Sequence, residues 1–149
     1  LRIHTRLPVV IPDRVSNGLL DAVARSGLQT VVVIHCNHAN EIDDQVEKAL
    51  ARLAQRGITL LNQSVLLAGV NDSTEALSAL SERLFAAGVL PYYLHLLDKV
   101  QGAAHFDVPE ERARQLIAGV SAALPGYLVP KLVREVAGEP AKVGVGGAW

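Results

Sequence analysis

Apolar runs that carry polar residues within them or at their carboxyl ends constrain the fold of this chain most. Three such runs follow one another, at residues 30–41, 58–72 and 91–98, and helix-length segments separate them. In parallel α/β folds the ligand lies outside the carboxyl ends of the strands. We therefore predict that the three polar clusters line one shared pocket.

Hydrophobic periodicity fills in the remaining elements. It predicts strands at 7–11, 30–35, 58–67 and 91–97, and helices at 14–26, 41–56, 74–87 and 110–124. Gly27, Gly57 and Gly88 stand where three of the helices should end. The alternation predicts βαβ units with a parallel sheet, and hence the α/β class. We expect the Pro- and Gly-interrupted tail to lie as an appendage across the open end of the sheet.

Composition excludes several classes of protein. A chain of 149 residues, half of them hydrophobic, can bury a core as one domain. The net charge of −1 does not indicate a nucleic-acid-binding protein. The sequence contains no apolar run of about 18 residues, so it does not predict a membrane-spanning helix. A single cysteine excludes an internal disulfide framework, so we predict a cytoplasmic protein. Because the chain begins with Leu1 and has no Met, we expect it to be part of a longer protein.

His35, Cys36 and His38 form the first candidate cluster. Imidazole and thiolate are ligands for zinc or iron. Their spacing matches no closed zinc pattern, and one cysteine cannot anchor an iron–sulfur cluster. We therefore favour polar residues that line a pocket, and we assign no metal ligand.

Gln63, Asp98 and Lys142 each allow two interpretations. Gln63 interrupts an apolar strand, and its amide needs a partner that either a ligand or a neighbouring backbone group would supply. Asp98, at the carboxyl end of a strand, would accept an ammonium group or form a loop turn. Lys142 is either a solvated surface charge or a lysine that forms a Schiff base with an aldehyde cofactor. Spacing alone does not choose between these alternatives.

Several blocks of sequence resemble the lysine 2,3-aminomutase family in order and spacing. They are Arg-Ile-His-Thr-Arg-Leu-Pro-Val-Val (2–10), Asn-His-Ala-Asn-Glu-Ile (37–42), Asn-Gln-Ser-Val-Leu-Leu (62–67), Pro-Tyr-Tyr (91–93) and Gly-Tyr-Leu-Val-Pro (126–130), continuing to Lys142. The run Leu-His-Leu-Leu-Asp-Lys-Val-Gln-Gly-Ala-Ala-His-Phe (94–106) is most similar to one branch of the family. That branch acts on lysine before the lysine is attached to translation elongation factor P.

The resemblance implies a fold and an activity. Residues 1–109 would be the carboxyl-terminal strands and helices of a partial (β/α)6 TIM-like radical S-adenosylmethionine barrel, and residues 110–149 a helix and a pyridoxal phosphate-binding segment. The enzyme would be an isomerase that moves the α-amino group of L-lysine to C3, giving β-lysine. A 5′-deoxyadenosyl radical would act on lysine held as a pyridoxal phosphate aldimine. The implied cofactors are pyridoxal phosphate, S-adenosylmethionine and a [4Fe–4S] cluster.

The resemblance also assigns roles to individual positions. Lys142 matches the catalytic lysine that binds pyridoxal phosphate, and His95 stands where other members have a Tyr near that cofactor. Asp98 matches a carboxylate that binds the distal ammonium of lysine. Glu135 takes the position of the family's second aspartate, with a longer reach. The positions that match the S-adenosylmethionine pocket are Thr5, His35 and Gln63.

One departure from the family concerns the cluster. The family binds it through a CxxxCxxC loop, whereas this chain has only Cys36, in another context. We therefore expect the cluster ligands to lie outside this chain, and the chain alone to be inactive. The alternatives are a metal-dependent aldolase or hydrolase on another α/β barrel, and a non-catalytic binding remnant of the aminomutase fold. The expected partners are lysine and, functionally, elongation factor P; homo-oligomer formation stays open.

Overall fold

The computed structural model describes residues 1–97, 104–136, 138–139 and 141–145. Within them, six strands form one mixed sheet in which strand order follows chain order. The strands are β1 (Arg2–Thr5), β2 (Val31–His35), β3 (Thr59–Val65), β4 (Leu90–His95), β5 (Lys131–Arg134) and β6 (Val143–Gly144). Neighbours from β1 to β5 are parallel, and β6 is antiparallel to β5. The predicted α/β class is confirmed.

Helices connect the parallel strands. They are α1 (Leu7–Val10), α2 (Asn17–Arg25), α3 (Asp44–Ala54), α4 (Thr74–Ala86) and α5 (Glu110–Ala123). Three begin at a side chain that accepts hydrogen bonds from the first turn: Ser16 for α2, Asp43 for α3 and Ser73 for α4. Within the described part of the chain, no helix is long and apolar enough to cross a membrane.

The predicted strand at 7–11 is wrong. Residues Leu7–Val10 form α1, and the first strand lies before it, at Arg2–Thr5. The β-branched residues of this run favour a strand, but Pro8 sits in the first turn of α1, where its missing N–H costs nothing. The Thr5 hydroxyl also accepts a hydrogen bond from the Leu7 N–H at 3.1 Å. At Leu7–Val10, these signals for the start of a helix therefore outweigh the strand propensity of the β-branched residues.

The tail extends the sheet and does not lie across its open end. The β5 strand pairs with β4 through Leu94 and Leu132, and β6 pairs with β5 through Arg134 and Val143. The apolar pair Leu132 and Val133 explains why β5 is a buried strand. The division into units at 1–109 and 110–149 stays a prediction.

The two faces of the sheet differ in what covers them. One face, the covered face, packs against the helices in two apolar clusters. Its strand residues include Val32, Ile34, Leu60, Asn62, Ser64, Leu94 and Leu132, all of which are buried. The opposite face, the open face, carries the alternate residues: Arg2, His4, Val33, His35, Leu61, Gln63, Val65, Tyr93 and His95. The candidate site lies on the open face.

Candidate functional site

Polar side chains form a row across the open face near the carboxyl ends of the strands. In the parallel register, His35 of β2 pairs with Gln63 of β3, and Gln63 pairs with Tyr93 of β4. His95 follows two residues later on β4, beside Val65. Because side chains alternate along a strand, paired positions share a face. The fold thus brings residues from separate parts of the sequence to one face of the sheet. That they line one shared pocket stays a prediction.

Lys142 joins this row from the tail. Its Nζ lies 2.9 Å from His95 Nε2, 3.2 Å from Glu135 Oε1 and 5.1 Å from the centre of the Tyr93 ring. The Lys142 side chain is 24% exposed, whereas that of Glu135 is 59% exposed. A lysine amine held at three points in a partly buried site differs from a solvated surface charge. The geometry therefore favours the functional interpretation of Lys142.

A cavity of about 460 Å³ opens beside the Lys142 amine. Its walls come from β1, β2, β4 and the tail. They include Arg2, His4, Val33, Tyr92, Tyr93, Glu135, Val136, Glu139, Ala141 and Lys142. A volume of this size suits a small organic ligand. Arg2, His4 and Tyr92 belong to this wall, although sequence reasoning did not single them out.

Two buried polar atoms at paired strand positions have no hydrogen-bond partner among the described residues. They are His35 Nε2 and Gln63 Oε1, both on the open face. A buried polar atom without a partner is costly, and a bound ligand is one group that can satisfy it. Burial lowers the pKa of His35, and the positive charges of Arg6, His4 and Lys142 lower it further. A neutral His35 offers one donor and one acceptor nitrogen to a ligand.

His4 shares this electrostatic environment. Its ring stands edge-on to that of His35, with the centroids 6.5 Å apart. Burial lowers the pKa of His4 first, and the charges of Arg2 and Lys142 add to the effect. The cavity wall thus combines the His4 imidazole with an arginine, a lysine and two glutamates.

One predicted site residue among those described, Thr5, does not join this row. Thr5 pairs with Ile34 and lies on the covered face, where its hydroxyl binds the Leu7 N–H. Its role at S-adenosylmethionine stays a prediction. Asp98 lies outside the described residues, so its role also stays a prediction.

The Cys36 cluster has a structural role. The buried Cys36 thiol donates a hydrogen bond to the His38 carbonyl at 3.3 Å. Burial and the nearby Glu41 carboxylate raise its pKa to about 12, so it stays protonated. His38 Nδ1 accepts from the Asn40 N–H, and Glu41 accepts from the His38 N–H, which together cap a short turn. Among the described residues, no three His, Cys, Asp or Glu side chains gather into a metal site.

Buried asparagines fix the carboxyl end of the sheet, and sequence reasoning missed them. Asn62 accepts from the Cys36 N–H at 2.9 Å and donates to the Cys36 carbonyl at 3.0 Å. Asn71 donates to the carbonyls of Asn37 and Val65 and accepts from the Leu67 N–H. Their amide side chains, placed in or after apolar runs, were the sequence signal that could have revealed them. They tie β2, β3 and the following loops together beneath the site.

Comparison with known proteins identifies the family. A protein named L-lysine 2,3-aminomutase from Escherichia coli (strain K12) is 57% identical over 142 residues, which cover 95% of this chain and 42% of that protein. A protein of the same name from Haemophilus influenzae is 56% identical over 142 residues, with the same coverage. One from Clostridium subterminale is 35% identical over 145 residues, covering 97% of this chain and 35% of that protein.

The chain belongs to the lysine 2,3-aminomutase family. It spans about two fifths of the length of the first two of these relatives. No protein-family model matches it.

Two solved structures share the fold. A radical SAM methyltransferase from Sphaerobacter thermophilus superimposes with a TM-score of 0.58 at 17% identity, covering 78% of this chain and 37% of that one. A domain of a pyruvate-formate lyase-activating enzyme from Bacteroides vulgatus gives a TM-score of 0.57 at 16% identity, covering 88% and 79%. At these identities the similarity establishes the fold alone.

Proposed function

We propose that this chain is the part of an L-lysine 2,3-aminomutase that holds pyridoxal phosphate and takes part in binding lysine. The observation that carries the proposal is the Lys142 amine, held by His95 and Glu135 at the edge of a 460 Å³ cavity. Family membership supplies the reaction: transfer of the α-amino group of lysine to C3, giving β-lysine. The preparation of lysine for elongation factor P is the finer part of the proposal, and the resemblance of residues 94–106 supports it.

The residues of the cavity fit pyridoxal phosphate. Lys142 would bind the aldehyde. The Tyr93 ring, over which the amine lies, would limit where the cofactor can sit. Arg2 lines the same cavity and carries a guanidinium suited to a phosphate group. When bound, pyridoxal phosphate supplies a conjugated system that stabilises charge or an unpaired electron next to the nitrogen.

The open face also fits S-adenosylmethionine. The unpartnered His35 Nε2 and Gln63 Oε1 would receive its polar groups, and both lie on neighbouring strands of one face. When bound beside a reducing cluster, this cofactor supplies a 5′-deoxyadenosyl radical. The chain's own part is to orient the ligand, because rigid strands hold both side chains.

The described residues do not fit a [4Fe–4S] cluster. Cluster ligation needs several thiolates, and the one cysteine of this chain is buried with its pKa raised to about 12. We therefore propose that this chain alone does not cleave S-adenosylmethionine.

The strand order supports a partial barrel. Five parallel strands that follow one another in chain order, with helices on one face, have the arrangement that the wall of a (β/α) barrel requires. In such a barrel the open face points inward. We propose that the open face is the interior of a partial (β/α)6 barrel and that the tail extends its wall and brings Lys142 to that face.

Trapping experiments test the cofactor site. We expect pyridoxal phosphate to give a visible absorbance band with the chain, and borohydride reduction followed by peptide mass spectrometry to find the label on Lys142. Lys142→Ala should remove the band and the label, whereas Lys48→Ala, on an exposed helix position, should leave both unchanged. A label spread evenly over the lysines would contradict the proposal.

A chimera tests the reaction. We would exchange the matched 142 residues of the Escherichia coli relative for those of this chain and measure β-lysine formed from lysine with S-adenosylmethionine and a reductant. We expect product from the chimera, none from its Lys142→Ala variant, and none from the 149-residue chain alone. A folded chimera that binds pyridoxal phosphate at Lys142 but forms no β-lysine would contradict the proposed reaction.

A further inference from the structure

We propose that His95 exchanges a proton with Lys142 Nζ and thereby acts as general base and general acid when an aldehyde is attached to that nitrogen. This inference rests on the proposed cofactor site and adds a catalytic role for one residue in it. Its physical basis is the 2.9 Å contact between His95 Nε2 and Lys142 Nζ, across 47 positions of sequence.

The fold holds His95 in place for this contact. It is the last residue of β4 and is only 7% exposed. Its carbonyl accepts from the Leu66 N–H, and the next residue, Leu96, donates to the Val133 carbonyl. The backbone around His95 is therefore fixed between Leu66, which follows β3, and Val133 of β5. Lys142 reaches it from the tail, where β6 pairs with β5.

The chemistry of an amine requires a proton acceptor at this point. An ammonium has no lone pair, so Nζ must lose a proton before it can attack an aldehyde carbon. Imidazole can accept that proton near neutral pH, whereas a carboxylate is ordinarily a much weaker base. Compared with Glu135, His95 is thus the better acceptor, and Glu135 balances the positive charge from 3.2 Å.

The protons balance over the whole step. His95 takes one proton from the ammonium, and the neutral Nζ forms a bond to the aldehyde carbon while the C=O π bond breaks. A C=N bond then replaces the C–O bond. The aldehyde oxygen leaves as water. One of its two protons is the one that His95 returns, and the other is a second proton that Nζ gives up. Nζ keeps the third proton of the original ammonium, so the charge is unchanged and no oxidant or reductant is needed.

Other groups surround His95 and would influence the pH dependence. Lys142 and Glu135 face it from the tail, and the Tyr93 ring lies 5.8 Å away on its own strand. The uncharged Val65 is its neighbour on β3, and Val133 on β5. Lys131 is a further cation on β5, opposite Tyr93.

The test follows the rate at which the cofactor band appears when the whole chain is mixed with pyridoxal phosphate, from about pH 5 to pH 10. His95→Gln keeps a hydrogen-bonding group near the Nε2 position but cannot exchange a proton. We expect it to form the bond about 100-fold more slowly at pH 7, at the low end for general acid–base catalysis. His105→Gln, outside the site, should match the unsubstituted chain.

The pH profile separates proton transfer from mere positioning. In the unsubstituted chain we expect the rate to rise through the pH range where imidazole loses its proton, because only the neutral imidazole can accept the Nζ proton. His95→Gln should lack that limb. If His95→Gln does not fold, the profile of the unsubstituted chain decides alone, and a rate that shows no such limb overturns the inference.

The outcomes distinguish this inference from the proposed function. If the unsubstituted chain binds no pyridoxal phosphate at Lys142, the proposed function fails and the inference with it. If it binds the cofactor and a folded His95→Gln matches its rate and pH profile, only the role of His95 is overturned. A slower His95→Gln with an altered profile and an unchanged extent of labelling supports the inference.

Discussion

Neighbouring residues of the same strand have different tasks on the two faces of this sheet. Leu60 is buried against the helices while Leu61 is half-buried on the open face, and Asn62 has its hydrogen bonds satisfied while Gln63 Oε1 has no described partner. The covered face stabilises the fold, and the open face is the one on which we propose that a ligand binds. A shift of one residue along a strand therefore separates a packed side chain from one that belongs to the proposed site.

The reactivity of the Cys36 thiol, next to His35, should show the largest difference between the two faces. Because burial raises the pKa of Cys36 from 9.0 to about 12, its thiolate fraction at pH 8 should be about a thousandfold lower than that of an ordinary thiol. We expect reaction with a thiol reagent to be slower by at least that factor in the folded chain, and ordinary in denaturant.

A moved thiol provides the control. The variant that combines Cys36→Ser with Leu61→Cys places the sulfur on the open face, where it should react at close to the ordinary rate. Fast labelling of Cys36 in the folded chain would contradict the separation of the faces at this position.

The two leucines of β3 test the packing difference. Leu60→Ala should lower the free energy of unfolding by about 3 kcal/mol, because it leaves a cavity in the core between sheet and helices. Leu61→Ala should cost about 1 kcal/mol or less, since its side chain lies on the open face. Urea unfolding measures both, and equal losses would show that the open face is packed as tightly as the covered face.

The two amides of β3 make a finer comparison. Asn62→Ala leaves the buried N–H and C=O of Cys36 without their partner, and we expect a loss of about 2 kcal/mol in unfolding free energy. Gln63→Ala removes an atom that has no described partner, so stability should change by less than about 1 kcal/mol.

Gln63→Ala should act on binding. If Gln63 receives S-adenosylmethionine, as proposed, the variant should weaken its affinity about tenfold for the loss of one hydrogen bond. Calorimetric titration of the folded variant measures this, and an unchanged affinity would remove Gln63 from the proposed site.

The smallest expected effect is the pH dependence from the open-face imidazoles. His35 and His4 have lowered pKa values in the folded chain, so the unfolded chain binds more protons below its ordinary histidine pKa of about 6.5. Stability should therefore be complete above that pH and decline as pH falls through it. His35→Gln should flatten this decline in thermal melts, and a steeper decline would reverse the assigned sign.

Local pattern predicted most of the elements. The expected strand at 58–67 is β3 (Thr59–Val65), and the expected helix at 74–87 is α4 (Thr74–Ala86), with boundaries within two residues. Periodicity succeeds there because one face of each element is apolar and the other polar. It failed at Leu7–Val10, where a helix start signal opposed β-branched residues, and it missed β1, whose Arg2-Ile3-His4-Thr5 alternation was the available sign.

The site residues divide in the same way. Strand ends were sufficient to predict that His35 and Gln63 lie side by side, because carboxyl ends of parallel strands meet at one edge. Which face Thr5 occupies follows from the pairing of β1 with β2, which sets Thr5 opposite Ile34; the predicted strand at 7–11 did not contain Thr5. The cofactor and substrate roles came from family resemblance and stay proposals.

The amino-acid sequence alone established the α/β class, the alternation of strands and helices, and the placement of polar residues at strand ends, because these depend on periodicities of two and 3.6 residues. Folding in three dimensions added what no local pattern contains. The tail joins the sheet as β5 and β6, and this brings Lys142 to His95, 47 positions away. Strand pairing and burial determine that meeting, since contacts between distant segments follow from sheet register.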